Sequence, residues 1–368
     1  MKESIRTKKF YAFIVIIMIT AIVFFSCFTN QNKDKPDSFI NNDSIYSRQR
    51  GDARIMFYNV ENLFDTKDDP DHKDEEFLPD AHRHWDEYKY NQKLIKIYKV
   101  AAAVGGEEPP ELIGLCEIEN KGVLVDLIYK TPLSKYNYRI IHKESPDWRG
   151  IDVGLLYLND HFTLLKNEFI SLQFPFDTGS KTRDILYAKG VLLQDTVHLF
   201  VNHWPSRYGG RLASEPKRIY AARILRKHID SVLSVHPYAK IIVMGDFNDE
   251  PGNNSIQNIL KANSQLQNIH PGELYNLSGY LQANTNAGSY KYKGHWNMLD
   301  QFIVSGFCLL DSSGLHTNQN NIGVFREKFL LERDRSFVGY KPFRTYLGYR
   351  YNKGYSDHLP VFLDLYKL

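Results

Sequence analysis

Cysteine is scarce in this chain, with three in 368 residues, at positions 27, 116 and 308. They form no cluster, which leaves thiolate-held metal chemistry without its ligands. Cys116 and Cys308 lie in apolar, strand-like runs and are expected as buried free thiols rather than a disulfide, although an exported protein permits one. Beyond Asp52 the sequence has no Pro/Gly/Ser-rich linker and no internal repeat. A single domain over 53–368 is therefore expected, large enough to need more than two layers. Net charge is nearly absent too. The formal +3 belongs to the N-terminus, because residues 28–368 hold 42 positive and 42 negative side chains. Any affinity for nucleic acid would then have to come from a local patch. What remains is an ordinary globular composition, 43% apolar and 24% charged, with an aromatic surplus of 24 Tyr and 22 Phe.

Long hydrophobic runs are missing as well, except at residues 10–25, "FYAFIVIIMITAIVFF", preceded by Lys2, Arg6, Lys8 and Lys9. That run is short for a membrane span and reads as the apolar stretch of an export signal over residues 1–27. Cys27 ends it after a small residue and resembles a bacterial lipobox, with Phe24 the departure where Leu is usual. Lipid anchoring at Cys27 to a bacterial membrane in the cell envelope is expected, and an uncleaved N-terminal anchor is the alternative. Residues 28–52 are polar and read as a flexible tether.

Eight segments carry strand patterns: "ARIMFYNV", "LIGLCEI", "DVGLLYL", "AKGVLLQ", "VHLFVNHW", "KIIVMGD", "LDQFIVS" and "PVFLDLY". Some alternate apolar and polar residues, and others are wholly apolar and so central. Two segments carry helical patterns. "NQKLIKIYKVAAAVG" puts Leu94, Ile95, Tyr98 and Ala101 or Ala102 on one face. "SEPKRIYAARILRKHIDSVLSVHP" has a Ser214 cap, Pro216 in its first turn, and Ile219, Ala222, Ile224, Leu225, Ile229 and Leu233 inward. Strands outnumber helices in mixed order, which predicts two packed sheets with helices outside.

Polar residues recur where strands start or stop: Asn59, Glu117, Asn202 with His203, Asp246 with Asn248, Asp300, and Asp357 with His358. Each alone has an ordinary reading as a turn, a cap, a solvated rim or a satisfied core histidine. Together they are what a site at the strand ends of a layered α/β fold requires. Carboxylate and amide oxygens suit Mg²⁺, with Mn²⁺ or Ca²⁺ as substitutes, rather than zinc. Two histidines near possible carboxylate partners can move protons or carry positive charge near neutral pH. Such a set can cleave a phosphate ester.

In order along the chain, "YNVEN", "CEIEN", "NHWPSR", "GDFND", "LDQFIVS" and "SDHLPV" resemble the signature segments of the endonuclease/exonuclease/phosphatase superfamily, which includes the DNase I-like enzymes. The resemblance implies a four-layered α/β sandwich, two mixed sheets face to face between flanking helices. It implies that Glu117 is the principal metal carboxylate, with Asn59 beside it and Asp357 completing the shell. By the same resemblance Asp246 activates water, Asn248 holds phosphate or metal, and His358, oriented by Asp300, contacts the scissile phosphate. His203 matches a second family histidine, a candidate general acid, with Asp152 as its candidate orienting partner. Arg149, Arg183 and Arg207 are candidate phosphate contacts, each equally readable as a solvated arginine. The acidic stretch "DTKDDPDHKDEEF" lacks the glycine of a Ca²⁺ loop and reads as a solvated loop. A monomeric, metal-dependent nuclease is the leading expectation. The alternatives are an enzyme for lipid-headgroup or sugar phosphates and a non-catalytic surface-binding protein.

Overall fold

The computed structural model describes residues 50–367. The expected export signal, Cys27 and the tether as far as residue 49 lie outside the described residues. Residues 50–52, expected as tether, are bound to the domain instead: Arg50 pairs with Glu111 at 2.5 Å, and Asp52 accepts the Lys367 amide. Among the described residues no helix is long and apolar enough to cross a membrane.

Two seven-stranded mixed sheets dominate the domain. In the first, β1 (Ala53–Leu63) is central, parallel to β2 (Leu112–Ile118) and antiparallel to β10 (Val361–Lys367). Beyond β2 come β4 (Asp152–Leu158) and then β3 (Tyr138–His142) at the edge. The second sheet runs β5 (Phe162–Ile170), β6 (Ile185–Leu192), β7 (Asp195–His203), β8 (Lys240–Asp246) and β9 (Asp300–Ser305), with short strands beyond. β7 and β8 are parallel, and β8 and β9 antiparallel.

The two-residue period of β8 shows how the layers arise. Ile242 and Met244 join the core between the sheets, while Ile241 and Val243 point outward to helix α3 (Arg211–Val235). Helices α1 (Glu87–Gly105) and α2 (Lys121–Tyr129) cover the other face of the first sheet. The expected four-layered sandwich is thus the observed fold.

Two helix readings change. α1 begins at Glu87, capped by the Asp86 carboxylate, and buries Tyr90, Lys93, Leu94, Ile97, Val100, Ala101 and Val104, so Ile95 and Tyr98 lie at the margin. α3 begins at Arg211, which puts Pro216 inside the helix and makes Ser214 a first-turn residue whose hydroxyl donates to the Gly210 carbonyl. A fully buried ion pair, Arg218 with Asp249 at 2.8 Å, anchors that turn. Cys116 and Cys308 are buried and unpaired, as expected. The acidic loop is exposed for the most part, but Asp74 is buried and accepts the Asp69 amide.

Candidate active site

The strand register brings the polar residues to one end of the sandwich. In β8, Asp246 stands opposite His203 of β7 on one side and Asp300 of β9 on the other. The glycine before it permits this closeness, since a Cβ at Gly245 would lie 2.4 Å from the Asn202 carbonyl. In the first sheet, β1 does not stop at Asn59 as its sequence suggested. It continues to Leu63 through an irregularity matched by one in β2 between Cys116 and Ile118. Glu61, Asn62, Glu117 and Asn248 all adopt positive φ, +54°, +57°, +62° and +51°. Non-glycine residues hold such backbone only when their surroundings enforce it, and it turns their side chains out of the usual alternation.

Asp246 is almost fully buried. Its carboxylate accepts from Asn59 Nδ2 at 3.1 Å and from the Asn248 amide at 2.9 Å, and lies 3.8 Å from Nε2 of both His203 and His358. Burial raises its pKa above the ordinary aspartate value, with the His358 charge acting against that rise and Asp300 adding to it. His358 Nδ1 meets Asp300 Oδ2 at 2.6 Å, and the Tyr290 ring packs against the imidazole, tilted by 34° with centroids 4.8 Å apart. Burial opposes charge on His358, but the Asp300 and Asp246 carboxylates outweigh it and hold the imidazolium well above its ordinary range. His203 goes the other way. Burial, with Arg183, Arg149 and His358 nearby, pushes it well below that range. Their surroundings thus push the two imidazoles in opposite directions, His358 toward the cation and His203 toward the neutral form.

Glu117 accepts the Asn62 amide at 2.9 Å and Asn59 Nδ2 at 3.3 Å. Asp357 pairs with Arg344 Nη2 at 3.1 Å, and the same guanidinium donates through Nε to Glu61 at 2.9 Å. Behind them the buried Lys93 donates to Thr345 Oγ1 and the Tyr355 carbonyl. Burial lowers its pKa to about 8, with Glu61 and Asp357 resisting. Glu61, Lys93, Tyr290 and Arg344 were not singled out from the sequence. Glu61 had a signal, standing two residues after Asn59 as Asn248 stands after Asp246, but the other three had none.

Among the described residues, Asp246, Asp300 and His358 bring one donor atom each within 4.8 Å of one another. His358, bonded through Nδ1 to Asp300, is a poor ligand, whereas Glu117 is a carboxylate without a cationic partner among the described residues and fits a Mg²⁺-type ion better. Asn59 turns its Nδ2 toward Glu117 while its oxygen accepts the Glu61 amide, and Asp357 is held by Arg344.

One expectation is corrected. Asp152 does not orient His203: its carboxylate accepts the Ser145 amide at 2.9 Å and lies 3.2 Å from His142 Nε2, while His203 Nδ1 is buried without a partner. Asp152→Asn should accordingly lower stability by about 1–3 kcal/mol and leave turnover within a few-fold. A hundredfold kinetic loss at an unchanged thermal midpoint would return Asp152 to the chemistry. The arginines divide similarly. Arg183 is buried, fixed to Asp147 at 2.9 Å and to the Trp204 carbonyl, and so braces the wall beside His203. Arg207 binds the Asn248 carbonyl at 2.7 Å. Arg149 is one-third exposed and acts electrostatically on both His203 and Glu117, the best placed of the three for a phosphate.

A layered fold with this constellation at its strand ends defines a class of hydrolase, and comparison with known proteins identifies it. The Endonuclease/Exonuclease/phosphatase family profile matches residues 54–367, and the chain belongs to that family. No curated protein sequence matches it. Among solved structures, the human Nocturnin catalytic domain with bound sulfate is 16% identical, with a TM-score of 0.51 over 86% of this chain and 94% of that one. A Bacteroides thetaiotaomicron endonuclease/exonuclease/phosphatase family protein is 15% identical, with a TM-score of 0.52 over 87% and 96%. D. rerio TDP2 complexed with single strand DNA product is 14% identical, with a TM-score of 0.50 over 85% and 98%. At such identities the likeness is one of fold.

Proposed function

We propose that this protein is a divalent-metal-dependent phosphodiesterase that cleaves nucleic acid. The observation that carries the reading is the grouping around Asp246 of a cationic His358 backed by Asp300 and a neutral His203. A Mg²⁺-type ion held at the Glu117 carboxylate would supply positive charge against the negative charge that builds on the phosphoryl oxygens and the leaving oxygen. The side chains do the rest. Asp246, fixed by Asn59 and Asn248, orients the attacking water and, with the neutral His203, offers an acceptor for its proton. His358 presents its Nε2–H to the phosphate, where negative charge grows.

Exposed aromatic side chains support nucleic acid as substrate. Trp148, beside Arg149, lies under the Lys73 ammonium, and Tyr292, two residues after the ring that packs against His358, lies under that of Lys293. Aromatic faces paired with cations are stacking platforms for single-stranded bases.

The test is hydrolysis of single-stranded DNA, plasmid DNA, RNA, phosphoinositides and sugar phosphates in parallel with Mg²⁺ or Mn²⁺. Nucleic acid should be cleaved, and excess EDTA should stop it. Glu117→Gln should cost at least about a hundredfold at limiting metal, because a ligand charge is lost without any loss of packing. Full activity in EDTA would refute the metal, and cleavage confined to lipid or sugar phosphates would refute the substrate.

A further inference from the structure

Glu61 and Asp357, which both act with Glu117 on the Lys93 ammonium, form a pair of carboxylates, and a pair of this kind is an ordinary invitation to a divalent cation. In this chain the invitation is already answered. The Arg344 guanidinium spans the pair, 2.9 Å from Glu61 Oε1 and 3.1 Å from Asp357 Oδ2. The other Glu61 oxygen accepts the Thr345 amide at 2.6 Å, and the Thr345 hydroxyl accepts from the Lys93 ammonium at 2.6 Å. Two carboxylates thus stand with two side-chain cations, and the group is neutral without any ion. Glu117 differs: its carboxylate is held by amide donors, from Asn62 and Asn59.

We propose that Arg344 and Lys93 take the place of a second metal ion, so that the enzyme works with one divalent cation, at Glu117, and with Arg344 as the second positive charge facing the phosphate. A cation entering between Glu61 and Asp357 would have to expel a guanidinium whose planar fork fits carboxylates well. A cation arriving at Glu117 breaks no ion pair. Arg344 keeps 41% of its side chain exposed while making both contacts, so it stays open to a substrate. It reaches the site from outside both sheets, between the short hairpins Leu331–Arg333 with Tyr340–Pro342 and Tyr346–Leu347 with Arg350–Tyr351. Lys93 comes from the buried face of α1 and fixes the segment from behind. The proposal rests on the metal-dependent phosphoesterase reading above.

Counting Mn²⁺ bound to the purified full-length chain, by titration calorimetry and electron paramagnetic resonance, tests it without any turnover. The wild type should bind one ion per chain, lost in Glu117→Gln. Arg344→Gln should bind two, and adding Glu61→Gln to that variant should return the count to one. Arg344→Lys, which keeps the charge, should stay at one and shows whether the site tolerates substitution. Inorganic phosphate should inhibit Arg344→Gln about tenfold more weakly than wild type. Two ions in the wild type, one of them lost in Glu61→Gln, would overturn the proposal and leave the phosphoesterase reading standing. So would a count that stays at one in Arg344→Gln. Absence of any bound Mn²⁺ would overturn both.

Discussion

Asp246→Asn is expected to lower turnover about a thousandfold, within the range for removing a general base or an electrostatic stabiliser, and to lower stability by no more than about 1–3 kcal/mol for the one donor left unserved. The amide matches the carboxylate in size, so the core around Met244 and Phe247 need not move. It cannot, however, serve both donors that meet the aspartate, Asn59 Nδ2 and the Asn248 amide, and also draw the proton from a water. It also removes the negative charge lying 3.8 Å from His203 and His358, and with it part of what keeps His358 protonated. The pH–rate profile should therefore change shape as well as height. A loss under tenfold with an unchanged profile would mean that Asp246 only shapes the strand end.

Asp300 and His358 are expected to act as one unit. His358→Ala and Asp300→Asn should each cost about two to four orders of magnitude in turnover. The double variant should cost little more than His358→Ala, because groups that work together lose their effect once. The alternative is that Asp300 merely caps a strand. Against it, the Asp300 amide is taken by the Ser289 hydroxyl at 3.0 Å, while the Asp300 carboxylate goes to the imidazole. The direction of the His358 shift gives a further check. A histidine whose folded pKa is raised contributes stability that is complete below the unfolded value, about 6.5, and is lost as pH rises through the folded value. The alkaline limb of the activity profile should accordingly move toward neutrality in Asp300→Asn. Rate losses that multiply across the two single variants would exclude the coupled pair.

The eight strands expected from the sequence are all present, because each is long, apolar and buried over most of its length. β3 and β5 were not anticipated. β5, with "TLLKNE" largely exposed at the sheet edge, carries the charges that edges need and so loses the apolar alternation. The strand-end residues were legible for a related reason, since a polar side chain closing an apolar run has few structural reasons to be there. Position along a strand does not say what stands across from it, which is why Asp152 was placed against His203 and is found beside His142. Lys93 was hidden because a lysine in an amphipathic helix normally marks its wet face. Here α1 turns that residue into the protein to meet Thr345, 252 residues away in the chain.

The Arg50 contact has a directional consequence. Arg50 closes on Glu111, just before β2, at the end of the first sheet where β1 and β2 begin, whereas Asn59 and Glu117 lie near the other end of those strands. At about 3.3 Å per residue, the six steps from Ala53 to Asn59 separate the two ends by about 20 Å. A pull applied at residue 50 is therefore received by a guanidinium clamp and by the first residues of a central strand, far from the polar side chains at the strand ends.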